Sequence, residues 1–435
     1  MPPSPVIEPP IPSSRHRGAG GAWQRARESP EVEGAPLARA TARHVAVFQE
    51  TNSTQTALVI KFIHTADWHL GMQAHFLPGD ARVRFAEARF DAVRRIAELA
   101  RDERCAFVVS SGDVFDSNHV DRQAVAKAID ALSAFTVPVF LLPGNHDPLD
   151  PSSIYRTSAW LDHAPAKAVV PEEIGAIPVA GVAGAEVIAA PWHTKHHLGD
   201  PVCACYGVPS GSDGALRIVL GHGVVDELSP NADDPSLIRA SAMRQAIQDG
   251  TAHYIALGDR HSVTEIEGTD GRAFYAGTPV STDYGELKPN HVLLVTVDGR
   301  DCTVERRAIG TWVFERLTRD LTGEADVDGL AQSLEAVPSK HTTAVKLALR
   351  GALNLATTAK LEELLGRNRL TFAALNIWER QADLVVAPDD SDLDGLQVSG
   401  YVREALGQLR EEAAGAGEEA AVARDALSLL YRLAR

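Results

Sequence analysis

The sequence predicts an α/β fold built of layers, in which buried strands alternate with helices. The apolar runs ALVIKFIHTAD, CAFVVSSGD and VPVFLLPGNHD each contain a short buried strand. Between them, residues 82–101 and 122–135 carry apolar side chains at helical spacing. This alternation is typical of a parallel sheet whose faces are covered by helices. Each run also ends in Asp, His or Asn, and ligands gather beyond the carboxyl ends of strands in such sheets.

The rest of the chain continues the alternation and then changes character. Further strands are predicted at AEVIAAPW, ALRIVLGH, AHYIALGD and HVLLVTVD, with a helix over residues 235–248. From about residue 311, the strands WVFERLTRDL, TTAVKLALRG, TFAALNIWE and ADLVVAP alternate with helices over residues 326–336 and 357–367. This second part predicts a smaller α+β module.

The composition divides the chain into four segments. Residues 1–57 are rich in Pro, Gly, Ala, Ser and Arg without a helical or strand period, which predicts a disordered N-terminal extension. Residues 58–310 hold the α/β pattern, residues 311–390 form the smaller module, and residues 391–435 form a C-terminal helical segment. In the last segment, one face of an amphipathic helix over residues 418–435 carries Val422, Ala426, Leu429, Leu430 and Leu433.

Charge and composition exclude several classes of protein. A formal charge of −16 argues against binding nucleic acid by bulk electrostatics, although carboxylates that hold divalent cations contribute to that negative count. Four cysteines are too few for a disulfide scaffold in 435 residues. No apolar stretch reaches the roughly 18 to 20 residues of a membrane helix, and prolines and arginines interrupt the N-terminus where a secretory peptide would be apolar. We expect a cytoplasmic protein without a membrane partner.

Five short polar segments follow predicted strands. They are DWH at 67–69, GDVFD at 112–116, PGNHD at 143–147, GH at 221–222 and GDRH at 258–261. Asp, Asn and His without Cys suit divalent manganese, iron or zinc. Two such ions together can activate water and neutralise the charge that develops on phosphorus. One such segment alone is more often a turn or a helix cap, but five in order predict a metal site.

These motifs, in this order, resemble those of the calcineurin-like metallophosphoesterase superfamily. KFIHTADWHLG, SSGDVFDS and YAGTPVSTDYGE further resemble the SbcD-type nuclease subunits of bacterial SbcCD complexes. The resemblance covers about residues 61–297, and over residues 311–388 it rests on the order of the elements alone. It implies a layered metallophosphoesterase β-sandwich flanked by helices, with the smaller module as a capping domain.

The resemblance also implies which residues hold two divalent ions, with Mn²⁺ as the expected metal. The first ion is assigned to Asp67, His69 and His261, and the second to Asn145 and His222, with Asp113 as the bridge between them. The fifth motif departs from the family pattern, because Gly-Asp-Arg-His stands where Gly-His-x-His is usual. We interpret Asp259 as a carboxylate ligand of the second ion, and the alternative is a turn residue.

The remaining candidates surround that site. His146 is expected to be the general acid, or to stabilise the transition state beside the leaving oxygen. Asp147 either orients His146 or caps a helix or turn, and Asp116 receives no assigned role. The histidines of WHTKHH favour a basic surface loop over a further metal site. Arg260 either touches phosphate or lies at the rim of the cleft.

The resemblance implies a metal-dependent DNA nuclease, with exonuclease or endonuclease activity in DNA repair and recombination. The implied partners are DNA and an SbcC-like, SMC-type ATPase, and a homodimer is a further expectation. The C-terminal helix either docks on that ATPase or packs on its own domain. Two alternatives stay open: a phosphodiesterase or phosphatase acting on small or protein substrates, and a non-catalytic adaptor of the ATPase.

Overall fold

The computed structural model describes residues 59–212, 214–231, 233–298, 301–386 and 400–434. The extension predicted over residues 1–57 lies outside these ranges. Within them, no helix combines the length and the apolar character needed to cross a membrane.

Two six-stranded sheets form the first part of the chain. Their strands are β1 (Ile60–Thr65), β2 (Phe107–Ser110), β3 (Val139–Leu141), β4 (Ala168–Val169), β5 (Ala176–Pro178), β6 (Ala185–Ala189), β7 (Leu216–His222), β8 (Tyr254–Gly258), β9 (Thr264–Glu265), β10 (Ala273–Tyr275), β11 (His291–Val297) and β12 (Cys302–Ala308). Their helices are α1 (Gly79–Asp102), α2 (Arg122–Leu132), α3 (Ser158–Leu161) and α4 (Ala240–Gln248).

The strand order places the motif-bearing strands side by side. The first sheet has the order β12-β11-β1-β2-β3-β4, with β1 to β4 parallel and β11 antiparallel to β1. The second has the order β5-β6-β7-β8-β10-β9, with β6, β7 and β8 parallel. Parallel neighbours end at the same edge, so the loops after β1, β2 and β3 are adjacent, as are those after β7 and β8.

The two sheets pack face to face, and helices cover their outer faces. Phe62 and Phe107 stack between the sheets with ring centroids 4.8 Å apart, and Tyr254 of the second sheet meets the edge of Phe62 at 5.4 Å. The other face of the first sheet packs on α1 and α2, and that of the second packs on α4. Strands buried on both faces explain the continuous apolar runs of the sequence. The predicted layered α/β class is confirmed.

A buried histidine joins the two sheets just below the ligand-bearing loops. His64 of β1 donates from Nε2 to the carbonyl of Leu257 (3.2 Å), and its Nδ1 accepts from the Tyr254 hydroxyl (3.0 Å). Burial lowers the pKa of His64 to about 3, so the ring is neutral and can accept that second bond. This link holds the ends of β1 and β8 in fixed relation.

The smaller module has its own parallel sheet and core. It contains β13 (Val313–Leu321), α5 (Glu324–Glu335), β14 (Thr343–Leu353), α6 (Leu355–Arg369), β15 (Ala374–Ile377) and β16 (Asp383–Val386). Strand β14 pairs in parallel with β13, β15 and β16. The module also packs on the first part of the chain, because Trp312 meets Phe85 of α1 edge to face at 5.0 Å. The boundaries at residues 310 and 390 stay predictions.

Two C-terminal helices, α7 (Tyr401–Ala413) and α8 (Glu418–Ala434), pack on each other and on α6. The sequence predicted α8 but missed α7. Leu427 and Ala423 of α8 are buried, whereas Val422 and Leu429 of the predicted apolar face are 63% and 52% exposed. The helix therefore packs on its own chain through Ala423 and Leu427 and leaves two other apolar side chains on the surface.

Candidate metal centre

The five polar segments meet at one edge of the sandwich. The first three follow β1, β2 and β3, His222 is the last residue of β7, and the fifth segment follows β8. Potential ligand atoms within 4.8 Å of one another form three overlapping groups among the described residues. The groups are Asp67–His69–His261, Asp67–Asp113–His222 and His69–Asp116–His146. Residues as far apart in the sequence as Asp67 and His261 thus share one pocket.

The backbone of this pocket is strained. Four of its residues have a positive φ, in a backbone region that residues other than glycine rarely adopt. They are Asp67 (54°), His69 (44°), Asp113 (51°) and Asp259 (96°). Each such residue costs about 1 to 3 kcal/mol and persists only where its surroundings enforce it. Two backbone hydrogen bonds enforce it here, from Asp67 N to the Gly112 carbonyl and from His69 N to the Asp113 carbonyl, both 3.0 Å.

Two glycines allow the loops to approach closely. A Cβ at Gly112 would lie 1.9 Å from Nδ1 of His222, and one at Gly144 would lie 2.2 Å from Oδ1 of Asp113. Gly112 also has a φ of 101°. Any side chain at either position would displace a candidate ligand, which explains the Gly-Asp and Gly-Asn-His-Asp patterns of the sequence.

The first group leaves two ring nitrogens facing each other. Nε2 of His69 and Nε2 of His261 are 3.1 Å apart. The Nδ1 of His261 donates to the Glu286 carboxylate (3.0 Å), an arrangement that leaves Nε2 available to a metal. Burial lowers the pKa of His69 to about 4, so this ring is neutral, as a ligand requires. With the Asp67 carboxylate beside them, these atoms fit a divalent cation.

The second group is centred on His222. Its Nδ1 donates to the Ser111 carbonyl (2.8 Å), while its Nε2 lies 2.8 Å from Oδ1 of Asn145 and 3.3 Å from Oδ2 of Asp113. Two side-chain oxygens therefore lie within 3.3 Å of one ring nitrogen. Such a donor set suits manganese, iron or zinc.

The pKa values of two candidate ligands are set by burial and by the neighbouring charges. Burial, opposed by His261 and His222, raises the pKa of Asp67 to about 7. Burial disfavours the charged form of His222, yet Asp113 and Asp259 hold the pKa of that ring well above its usual range. Divalent cations would favour the deprotonated forms of both side chains, because ligands bind metal in those forms.

Asp259 lies at the pocket, in a backbone bend directly after β8. Its backbone N–H donates to the Asp67 carboxylate (3.1 Å), and its Oδ1 is 3.8 Å from Nε2 of His222. Burial and the charge of Asp113 raise the pKa of Asp259. The side chain is therefore within reach of an ion that His222 holds, and its assignment as a ligand stays a proposal.

His146 lies at the exposed side of the pocket. Its backbone N–H donates to Oδ1 of Asp113 (2.9 Å), and its Nδ1 donates to the Asp116 carbonyl (2.8 Å). Asp116 also places its carboxylate 3.5 Å from Nδ1 of His69. Asp116, to which the sequence analysis gave no role, thus contacts both His146 and His69. Its position in the GDVFD segment was the only indication in the sequence that it belongs to the site.

Asp147 has the hydrogen bonds of a turn cap. Its carboxylate accepts from the backbone N–H groups of Gly144 (2.8 Å) and Phe115 (3.0 Å), and from the Tyr155 hydroxyl (2.6 Å). These contacts match the capping alternative. The orientation of His146 comes instead from the Asp116 carbonyl.

Glu286 is a functional candidate that the residue-level prediction missed. Besides His261, it accepts from the backbone N–H of Thr282 and from the hydroxyl of Ser281 (2.7 Å). It lies at the end of YAGTPVSTDYGE, a motif used for the resemblance without a role for any single residue. A carboxylate that holds the far nitrogen of a metal-ligating histidine fixes its tautomer and orientation.

The other candidates lie outside the three groups. His193 and His196 are exposed, and His197 packs edge-on against Trp192, with ring centroids 4.4 Å apart. Arg260 donates from Nε to the Thr264 hydroxyl (2.9 Å). The contacts of His193, His196 and His197 give no indication of a further metal site in the WHTKHH loop.

Comparisons with known proteins identify a matching family and several similar proteins. Residues 60–261 match the family described as calcineurin-like phosphoesterase. The DNA double-strand break repair protein Mre11 of Methanosarcina mazei is 23% identical over 275 residues, which are 61% of this chain and 40% of that protein. Its namesake from Methanosarcina acetivorans is 24% identical over 276 residues, which are 61% and 41%. The solved structure of TT1561 from Thermus thermophilus aligns with a TM-score of 0.36 at 12% identity, over 58% of this chain and 100% of that one.

The motifs, the layered sandwich and the family match identify residues 60–261 as a calcineurin-like phosphoesterase domain. The relatives from Methanosarcina carry the name Mre11, and the chain spans about two fifths of their length.

Substitutions at Asp259 test its assignment as a ligand. We expect Asp259→Ala to weaken one of two Mn²⁺ binding steps by about tenfold or more, because an anionic ligand is lost. Asp259→His should keep two ions, since imidazole also ligates manganese. Calorimetric titration of Mn²⁺ into both variants and Asp259→Asn measures this. Identical stoichiometry and affinity in all of them and in the wild type would show that Asp259 serves only the turn.

Proposed function

We propose that this chain is a two-metal DNA nuclease of the SbcD type, with Mn²⁺ as the working ion. The observation that carries the proposal is that seven candidate ligands lie together at one edge of a calcineurin-like phosphoesterase domain, five of them in the groups around Asp67 and two beside His222. They are Asp67, His69, Asp113, Asn145, His222, Asp259 and His261. The names of the Methanosarcina relatives support DNA as the substrate.

The resemblance suggests how the ligands divide, and the contacts of His222 with Asn145, Asp113 and Asp259 are consistent with it. Asp67, His69 and His261 would hold the first ion, and Asn145, His222 and Asp259 the second, with Asp113 between them. Divalent ions in such a site supply Lewis acidity to a phosphoryl oxygen and a nucleophile at neutral pH. The protein contributes fixed ligand positions, because its loops are constrained by hydrogen bonds and close packing.

His146 is suited to act on the leaving oxygen. Its Nδ1 is engaged by the Asp116 carbonyl, so Nε2 is the nitrogen available to substrate. The side chain is exposed, whereas the ligand imidazoles of His69 and His222 are buried. This places a proton donor on the solvent side of the pocket, where a substrate enters.

Positively charged side chains of the smaller module are evidence for a polymer of phosphates as the substrate. Lys346 of β14 lies over the ring of Tyr284, with Nζ 4.1 Å from its centroid. Arg316, the register neighbour of Lys346 on β13, lies beside Gly285. The next residue, Glu286, holds His261. Two cations of the module therefore flank the loop that orients a metal ligand, and cations in this position can bind the backbone phosphates of DNA.

The C-terminal helices are proposed as the docking element for an SbcC-like, SMC-type ATPase. Val422 and Leu429 are exposed on α8, and exposed apolar side chains on a helix are typical of helix-to-helix recognition. Function in DNA repair as part of an SbcCD-like complex, and formation of a homodimer, belong to the same proposal.

A panel of substrates tests the proposed activity. With Mn²⁺, we expect the protein to cleave linear duplex and hairpin DNA much faster than a chromogenic phosphodiester, and Asp113→Asn to abolish both reactions. Cleavage products are measured on gels and by absorbance. Hydrolysis of the chromogenic compound with intact DNA would favour a small-molecule phosphodiesterase. One bound ion or none, without hydrolysis of any substrate, would favour an adaptor.

His146→Ala tests the role of that side chain. Hydrolysis of DNA should fall by roughly 10² to 10⁴, the usual effect of losing a general acid. Mn²⁺ affinity should change little, because the ring lies outside the two groups of candidate ligands that contain Asp67. His163→Ala, at an exposed histidine outside the pocket, is the matched control. Loss of a bound ion in His146→Ala would reassign the residue as a ligand.

A further inference from the structure

Arg89 is a charged residue at a core position. It lies on the buried face of α1 in helical register with Phe85 and Val93, and only 1% of it is exposed. In the described part of the chain, no carboxylate forms an ion pair with its guanidinium. Its charge meets the Phe85 ring instead, 4.8 Å from the ring centroid. A buried cation without a paired anion is costly, so its hydrogen bonds need a structural reason.

Those hydrogen bonds go to the loops that carry the first group of candidate ligands. The Nη1 of Arg89 donates to the Trp68 carbonyl at 2.7 Å. Trp68 stands between Asp67 and His69, both of which have the left-handed backbone conformation. A charge-assisted bond to this carbonyl fixes the peptide that links two ligands, and it opposes relaxation of the strained backbone.

A second bond reaches the loop that supports the third ligand. The Nη2 of Arg89 lies 3.4 Å from the Ser281 carbonyl, and the Ser281 hydroxyl donates to Glu286 (2.7 Å). Glu286 in turn accepts from Nδ1 of His261. One guanidinium therefore connects the loop of Asp67 and His69 with the loop that orients His261.

We infer that Arg89 is a positioning residue that holds the three ligands of the first metal ion in their binding arrangement. This inference rests on the proposed two-metal site. Arg89 does not touch the ion. It acts through the Trp68 and Ser281 carbonyls, and its positive charge offsets part of the repulsion among the carboxylates of the pocket.

A matched control exists on the same helix. Arg95 of α1 also donates to a backbone carbonyl, that of Ile309 (2.6 Å), but this carbonyl belongs to neither ligand loop. Arg95→Lys therefore measures the effect of replacing a guanidinium by an ammonium group at a carbonyl that is not part of the site. Arg89→Lys keeps the charge and removes the bidentate reach. Arg89→Met removes both.

The test is calorimetric titration of Mn²⁺ into the full wild-type chain and these three variants, with melting temperatures recorded without metal. We expect Arg89→Lys to weaken one of the two binding steps by about 10- to 100-fold, the range for loss of a group that orients a ligand. Activity should recover at high Mn²⁺. Arg95→Lys should keep both affinities. Arg89→Met should weaken binding further. If it does not fold, Arg89→Lys still decides the question.

Two results would overturn the inference. One is unchanged Mn²⁺ affinity in Arg89→Lys, even with a lowered melting temperature, because Arg89 would then stabilise the fold alone. The other is equal weakening in Arg89→Lys and Arg95→Lys, which would indicate general destabilisation. If the wild type binds no Mn²⁺, the proposed two-metal site itself fails, and this inference fails with it.

Discussion

Mutual repulsion among buried carboxylates is the constraint on which the rest of this structure depends. Asp67, Asp113 and Asp259 lie around one pocket, the first two almost fully buried. Burial raises the pKa of Asp67 and the charges of Asp113 and Asp259 add to it, while against the effect of burial the same two carboxylates raise the pKa of His222. Such an arrangement opposes folding unless it is compensated, so its persistence indicates that the pocket is built for positive ions.

The fold supplies that compensation through its layers. Two sheets and their covering helices bury large aromatic side chains, which stabilises the domain enough to tolerate several residues in left-handed conformations. Because the strands are parallel, the loops that follow them lie at one edge. The hydrogen bonds of His64 join β1 of the first sheet to β8 of the second near that edge. The strands fix the positions of the candidate ligands, while His146 is exposed and Lys346 of the smaller module lies over Tyr284.

The sequence predicted the five polar segments and the layered class because both depend on local pattern: an apolar run followed by a ligand and a glycine. Features that depend on long-range contacts were not predictable. Glu286 acts on a residue 25 positions away, and Arg89 is one of several arginines in its helix, a residue type that usually marks the solvent-exposed face. The face by which α8 packs on its own chain was not predictable either, since Ala423 and Leu427 are buried while Val422 and Leu429 are exposed. Asp147 shows that neighbours in a motif need not share a task.

We propose that two divalent ions share this pocket, with a carboxylate between them. Electron paramagnetic resonance of the full chain, loaded with increasing Mn²⁺, tests it most directly, because two manganese ions bridged by a ligand give an exchange-coupled spectrum that a single ion does not. We expect the coupled signal to appear at two ions per chain and to disappear in Asp113→Asn. A spectrum of isolated Mn²⁺ at every loading, or saturation at one ion per chain, would contradict the account.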